Sequence, residues 1–184
     1  MEETKKNSEY SHYIRDLAVQ NKDVVFFNSS REHASIVMGT MYEFAEKEVK
    51  IYCSHFSGEI SGQAEYQRGL EKYLSKGQKL KILMQRDKYE SRATPPEIFK
   101  LLKLYYIINP GNIEIKTHPF IVHKEGSDAR EIHFMVADDR MYRLEEDISR
   151  FTAVSNFNDR TNAEKLSKIF DEIFSSENAE NISL

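Results

Sequence analysis

The order of strand-like and helix-like segments constrains this chain more than any other feature of its sequence. Residues 49–56 and 80–84 are rich in β-forming side chains, which predicts two strands. Between them, apolar side chains recur at helical spacing from Tyr66 to Leu74, and Lys76-Gly77 ends the predicted helix. A helix between two strands is typical of a crossover unit, so we expect parallel pairing in at least part of the sheet.

The rest of the chain completes an α/β pattern. Ser29 and Glu32 form a capping box before one helix, and Pro95-Pro96 precede another. Further strands are predicted at residues 24–27, 112–117, 120–123, 131–137, 141–144 and 151–156, ahead of an amphipathic helix at 159–175. The group of strands before the last helix argues against a plain doubly wound fold. We therefore predict an α/β fold with a mixed sheet flanked by helices.

Length and composition limit the classes of protein to consider. A chain of 184 residues with 40% hydrophobic residues suits one domain, predicted at 24–175 between an N-terminal tail (1–23) and a C-terminal tail (176–184). The formal charge of −4 is unlike that of a typical basic nucleic-acid binder. A single cysteine, Cys53, excludes an internal disulfide and a multi-cysteine zinc site. The polar start and the short apolar runs predict a cytoplasmic protein without a membrane span.

The segment Glu-Ile-His-Phe-Met-Val-Ala-Asp at residues 131–138 is the most informative about chemistry. Glu131 and His133 are two apart on a predicted strand, so both project from the same face, and Asp138 follows at the strand end. Burying two polar side chains on a strand costs stability unless they pair with other groups or take part in binding or catalysis. We therefore take Glu131, His133 and Asp138 as the candidate catalytic residues.

The same segment resembles the motif of the phospholipase D-like superfamily, His-x-Lys-x4-Asp on a strand. Asp138 matches the aspartate of the motif, while His133 stands at the lysine position and Glu131 at the histidine position. Downstream, residues 153–158 (Ala-Val-Ser-Asn-Phe-Asn) are similar to the Gly-Ser-x-Asn region of the family, which makes Ser155 and Asn156 candidate binding residues. The resemblance covers residues 24–175 and implies a single phospholipase D-like half-domain.

The resemblance implies an activity that the two replaced residues put in question. In the family the histidine attacks phosphorus and the lysine steadies the phosphate oxygens, without any cofactor, and a single half-domain completes its site by homodimerisation. Glu131 is a poor nucleophile whose charge repels phosphate, and His133 is only partly protonated at neutral pH. The resemblance, with these two replacements, implies a homodimer with degenerate or lost catalysis that binds a phosphodiester, nucleic acid rather than lipid, or a protein partner. An active metal-independent phosphodiesterase or nuclease is the alternative.

Three further side chains are candidates for binding. His55 ends a predicted strand beside a glycine loop, where α/β folds place their sites. Arg143 shares a strand face with Glu145, so it either forms an ion pair, with Glu145 or with Asp138, or clamps a phosphate. Lys124 would replace the missing cation of the motif if its strand lay beside Glu131.

The sequence gives little support for a metal site. His118 and His123 are five residues apart, a spacing without the regularity or the further ligands of a metal centre. Glu114 and Lys116 match the Glu-x-Lys element of metal-dependent nucleases, which leaves such a nuclease as a third hypothesis. The tripeptide is common by chance in any alternating strand, and we predict no metal.

Basic residues are concentrated between Tyr66 and Tyr106. Ten of them stand there against four acidic residues, from Arg68 to Lys103. Such a stretch is either an ordinary solvated face or a patch that attracts phosphate backbones. Both interpretations remain open from the sequence.

Overall fold

The computed structural model describes residues 2–56, 58–91, 97–119, 121–123 and 131–184, with side chains from residue 6 onward. Its helices are α1 (Glu2–Val19), α2 (Arg31–Phe44), α3 (Gly58–Ser61), α4 (Ala64–Ser75), α5 (Arg86–Glu90), α6 (Ile98–Ile108) and α7 (Arg160–Phe174). Its strands are β1 (Phe26–Asn28), β2 (Glu48–Cys53), β3 (Lys79–Gln85), β4 (Ile113–His118), β5 (His133–Ala137), β6 (Met141–Asp147), β7 (Thr152–Asn156) and β8 (Glu180–Asn181).

The strands of the described residues form one mixed sheet in the order β1-β7-β6-β5-β2-β3-β4-β8. Strands β2, β3 and β4 are parallel, whereas β5, β6, β7 and β1 pair antiparallel. The crossover helix α4 joins β2 to β3, as the spacing predicts. The predicted α/β class with a mixed sheet is therefore confirmed.

Helices cover both faces of this sheet. One face packs against α1, α2, α4 and α6, through a core that includes Met41, Leu70 and Leu102. The other face packs against α7, whose Leu166 and Phe170 contact alternate residues of β5 such as Phe134. Because successive side chains of a strand point to opposite faces, β5 contributes Phe134 and Val136 to the α7 side and Met135 to the α2 side.

Helices α2 and α4 approach each other through two glycines. A Cβ atom at Gly69 would lie 2.3 Å from the carbonyl oxygen of Gly39, and one at Gly39 would lie 2.4 Å from the carbonyl oxygen of Glu65. These positions exclude any side chain, so the two backbones pack directly. The close packing fixes α2 over the sheet beside the residues described below.

Both predicted tails belong to the folded structure. The N-terminal segment forms α1, with Ile14, Leu17 and Ala18 buried in the core. At the other end, Thr117 and Lys116 of β4 pair with β8, and the amide of Ile182 donates to the carbonyl of Ile115. Residues of both predicted tails, 1–23 and 176–184, therefore pack against the rest of the chain, because their few apolar residues meet the surface of the core.

Most predicted elements occur within a few residues of their expected bounds, with two differences. The side chain that caps α2 is Ser30, which accepts from the amide of His33, rather than Ser29. Of the predicted strand at 120–123, the described residues 121–123 form only an isolated bridge between His123 and Glu131. No helix among the described residues is long and apolar enough to cross a membrane.

Candidate functional site

His133 is the first residue of β5 and lies where the carboxyl end of β2 meets the amino end of β5. The antiparallel register places Phe134 opposite Tyr52 on β2 and His133 opposite Glu145 on β6. Side chains opposite each other on neighbouring strands share a face, so His133 and Glu145 both point toward the α2 side. The sheet itself therefore brings the central histidine and a carboxylate together.

A row of charged side chains extends across this face. The imidazole Nδ1 of His133 lies 3.3 Å from Oε2 of Glu145, and its Nε2 lies 3.1 Å from Oε1 of Glu131. Glu145 also accepts from Nη2 of Arg143 at 2.8 Å. The Nε of Arg143 donates to Asn28, which in turn donates to the carbonyl of Phe151. The charges thus alternate in sign from Glu131 to Arg143, and the predicted pairing of Arg143 with Glu145 is confirmed.

Burial and pairing act in opposite directions on the proton affinities of these groups. Burial favours the neutral imidazole of His133, but its hydrogen bonds to Glu131 and Glu145 outweigh burial and raise its pKa. The hydrogen bond from His133 lowers the pKa of Glu131. Burial opposes ionisation of Glu145, yet His133 and Arg143 together lower its pKa. The site therefore favours two carboxylates around a protonated imidazole.

Two groups compete for Nε2 of His133. Besides the Glu131 carboxylate, the backbone amide of Ser54 lies 3.0 Å away and donates toward the same nitrogen. A neutral imidazole with its proton on Nδ1 accepts from Ser54, whereas a protonated one donates to Glu131. Either way, both ring nitrogens of His133 have partners within the chain.

A cavity of about 400 Å³ opens beside His133, between the sheet, α2 and α3. Its floor is polar and includes His133, Arg143, Glu145 and Ser54, while its walls are largely apolar and aromatic. Arg143 and Glu145 are 3% and 4% exposed, so their charges are almost fully removed from water. A cavity with apolar walls and a few convergent polar groups has the composition of a small-molecule site.

A second hollow lies on the other side of Glu131. It is lined by Glu131, Glu146, Asp147, Ile148 and Arg150. Three carboxylates against one guanidinium give it a negative character. An approaching phosphodiester would be repelled on this side of His133.

The structure brings some predicted residues to the cavity and places others elsewhere. His55 lines the cavity, with its Nδ1 3.0 Å from the hydroxyl of Ser54. Lys124 lies outside the described residues. Ser155 is buried on β7 and does not line the cavity, and Asn156 donates to Asp23 at 2.8 Å. The predicted role of the latter two in phosphate binding therefore has no geometric support.

Asp138 lies at the opposite end of β5 from His133, where it begins the turn to β6. Its carboxylate accepts from the backbone amides of Glu46, Lys47 and Glu48, at 2.8–3.1 Å. These contacts hold the start of β2 against the turn. The structure thus places the Asp138 carboxylate at the far end of β5 from His133, where it holds the backbone at the start of β2.

The described residues do not support the metal-dependent nuclease hypothesis. Lys116 donates to the carbonyl of Phe174 and lies 4.6 Å from the centre of its ring, so its ammonium group has a structural partner. Glu114 is exposed on β4. No group of three or more histidine, cysteine, aspartate or glutamate side chains in the described part of the chain could hold a metal ion.

Acidic residues from other parts of the chain offset the basic stretch. Four of its cations pair with carboxylates that lie outside it, namely Arg68 with Glu65, Lys72 with Glu43, Lys81 with Glu48 and Arg86 with Glu180. Arg92 lies outside the described residues. The local excess of charge is therefore smaller in space than along the sequence.

Sequence reasoning did not identify Asn28 or the Ser54 amide as parts of the site. Asn28 ends the short strand β1 and reaches Arg143 only because β7 places β1 two strands from β6. A backbone amide has no signal in the sequence at all. The position of Asn28 directly after the apolar run 24–27 was the available indication in the sequence that this side chain would be buried.

Known proteins resemble this chain in structure but not detectably in sequence. No protein-family model and no curated protein matches it. TrmBL2, an archaeal chromatin protein with a novel mode of DNA binding, matches over 95% of this chain with a TM-score of 0.59 and 14% identity. This match covers 60% of TrmBL2, so the chain spans less than two thirds of that protein.

Two further proteins match over nearly their whole length. Nuc from Salmonella typhimurium, a phospholipase D family member, matches with a TM-score of 0.59 and 14% identity, covering 89% of this chain and all of Nuc. NucT from Helicobacter pylori matches with a TM-score of 0.58 and 13% identity, covering 88% of this chain and 99% of NucT. The chain shares their fold, as the motif at 131–138 predicts.

Proposed function

We propose that this chain, which has the phospholipase D-like fold, acts as a homodimeric binding domain for nucleic acid and has lost phosphoryl transfer. The position of His133 between two carboxylates is the observation that supports this most directly. A histidine that attacks phosphorus needs one unprotonated ring nitrogen facing the substrate. Here Nδ1 faces Glu145, and Nε2 faces both Glu131 and the Ser54 amide.

The charges around His133 also disfavour a transferring phosphate. Glu131 lies 3.1 Å from the imidazole, at the place where an attacked phosphate would have to approach, and the hollow beyond it is acidic. Phosphoryl transfer depends on cations that stabilise the negative oxygens of the transition state. Arg143 is a nearby cation, but Glu145 neutralises it at 2.8 Å.

An active metal-independent phosphodiesterase is the second candidate, and one contact favours it. Glu145 holds Nδ1 of His133, as a carboxylate orients the imidazole in enzymes that use histidine as a base or nucleophile. If Glu131 moved away and the Ser54 amide released Nε2, this nitrogen would be available to a substrate. The two candidates therefore differ in whether Glu131 leaves His133.

A turnover assay separates these candidates. Purified protein is treated with chelator and incubated with a generic phosphodiester and with single- and double-stranded DNA. The binding-domain proposal expects no turnover by the wild type, by His133→Ala or by Glu131→Gln. Turnover by the wild type that is lost in a folded His133→Ala would refute the proposal and make this protein an enzyme.

Nucleic-acid binding is the second element to test. The neighbouring folds include a DNA-binding chromatin protein, and the exposed cations Lys79 and Lys103 have no ion pair among the described residues. Binding of a labelled oligonucleotide should weaken steeply as salt rises, because released counterions contribute to the affinity. The absence of binding at low salt would contradict this part of the proposal.

The homodimer is tested by light scattering. The proposal expects twice the chain mass of 21.6 kDa at micromolar concentration, whereas a mass near 21.6 kDa would refute it. Glu131 and Glu114 are partly or fully exposed and lie on opposite sides of β2 and β3, so they form a matched pair of positions. A dimer that dissociates in Glu131→Arg but not in Glu114→Arg would place the end of the sheet that carries His133 at the interface.

A further inference from the structure

We propose that the cavity between the sheet, α2 and α3 holds one unpaired nucleobase, with the sugar and phosphates of its nucleotide at the mouth. This inference rests on the proposed nucleic-acid binding and names the part of the ligand that enters the protein. The cavity volume of about 400 Å³ lies within the range of small-molecule sites. A base that is paired and stacked in a duplex cannot enter such a space, so the base must be unpaired.

The walls of the cavity suit a flat, weakly polar group. Phe56, Tyr66 and Phe151 contribute aromatic rings, and Met38 and Ile60 contribute flexible or aliphatic surface. Bases stack on aromatic side chains in many proteins that bind single strands, largely independently of sequence. An acyl chain would also fit these walls, but it would cover the polar floor without offering it any hydrogen-bonding group.

The floor of the cavity selects a neutral group with hydrogen-bonding edges. Glu131, His133, Glu145 and Arg143 alternate in sign along a connected row, so their charges are already balanced. A buried phosphate would lie close to Glu145 and would add an unpaired negative charge. Arg143 and Glu145 lie side by side, one as a donor and one as an acceptor, which matches the carbonyl and amino groups on the edge of a base.

The mouth of the cavity provides a cation for the phosphate. Arg31 lies on its rim with 47% of its side chain exposed, and its guanidinium lies 5.8 Å from the centre of the Phe151 ring. Its carboxylate partner, Glu59, is 3.5 Å away and 53% exposed, so this pair is weak and open to exchange. His55 is a second polar side chain at the same mouth.

The chain contains no tryptophan, which allows a single introduced reporter. Phe151→Trp places an indole in the cavity wall, and Phe27→Trp places one on β1, where the side chain is 68% exposed and does not line the cavity. Adenosine, guanosine, cytidine and uridine are titrated against both variants, with ribose 5-phosphate and inorganic phosphate as controls. We expect saturable quenching of Phe151→Trp by at least one nucleoside, and no saturable change with phosphate alone or in Phe27→Trp.

The unmodified protein provides a second measurement. Anisotropy of labelled oligonucleotides should show at least tenfold tighter binding of a single strand than of the matched duplex at equal salt. Ile60→Phe, which fills part of the cavity, should reduce single-strand affinity by about tenfold, and Ile169→Phe on the exposed side of α7 should not.

The outcomes separate this inference from the proposed function. Binding of single strand and duplex with equal affinity, together with no quenching of Phe151→Trp by any nucleoside, would overturn the nucleobase site and leave nucleic-acid binding standing. Failure of every oligonucleotide to bind at low salt would overturn the proposed function. Saturable quenching by inorganic phosphate would instead show an anion site and refute the nucleobase assignment.

Discussion

Breaking the buried pair of Arg143 and Glu145 from one side should destabilise the protein far more than removing both charges. The two side chains are 3% and 4% exposed and lie 2.8 Å apart. Arg143→Met leaves Glu145 with His133 as its remaining cation, and Glu145→Leu leaves Arg143 without a carboxylate. Removing one partner of a buried ion pair costs about 3–5 kcal/mol, because the other charge remains out of water without compensation.

The double variant Arg143→Met/Glu145→Leu removes both charges and fills the space with apolar atoms. Such replacements of whole buried pairs are often close to neutral. Here Asn28 and His133 each lose one hydrogen bond, which costs about 1–3 kcal/mol per unsatisfied group. We therefore expect the double variant to lose no more stability than the worse single variant, against about 6–10 kcal/mol if two losses of 3–5 kcal/mol simply added.

Urea and thermal unfolding measure these differences. For a chain of this size 1 kcal/mol corresponds to about 2–4 °C, so each single variant should melt about 6–20 °C below the wild type. The matched control is the exposed pair of Arg68 and Glu65, 2.9 Å apart, where Arg68→Met should change stability by less than about 0.5 kcal/mol. A double variant as unstable as the sum of its singles would refute the reasoning, because the two charges would then act independently.

Three further predictions concern His133, Gly69 and Asp138. The raised pKa of His133 means that its contribution to stability is fully present below its ordinary value of 6.5 and is lost as pH rises through the folded value. The difference in unfolding free energy between wild type and His133→Gln should therefore shrink above pH 6.5, and a difference that grows there would contradict the charged cluster. Gly69→Ala should cost about 2–3 kcal/mol in urea unfolding, because its Cβ would lie 2.3 Å from a backbone oxygen, whereas Gly58→Ala has open space and should be tolerated. Asp138→Ala removes an acceptor of three backbone amides and should cost about 1–3 kcal/mol, while an unchanged midpoint would show that solvent replaces it without loss.

The local signals in the sequence were sufficient for most of the fold. Alternating and helical patterns depend on neighbouring residues, so β2, α4 and β3 appear from their own side chains, and a helix between parallel strands follows from them. The turn at Asp138 and Asp139, both with positive φ, was likewise expected from two short polar residues. The motif at 131–138 then identified the phospholipase D-like fold.

The packing of the two terminal segments could not be predicted from their own sequences, because it depends on tertiary contacts. Helix α1 has a weak periodic pattern and its first residues are charged, yet Ile14, Leu17 and Ala18 are buried because α2 offers them an apolar surface. Strand β8 has two residues, and its pairing with β4 depends on where the chain returns after α7. Neither interaction is encoded within the segment that makes it.

For the candidate site, the sequence by itself determined that Glu131 and His133 share a face and that Arg143 and Glu145 share another strand's face. Strand geometry alone requires both statements. Only the tertiary structure decided that the two pairs join into one row, because the register between β5 and β6 places Glu145 opposite His133. Strand geometry also places Asp138 far from the cavity, since residues five positions apart on a strand lie at different ends of the sheet.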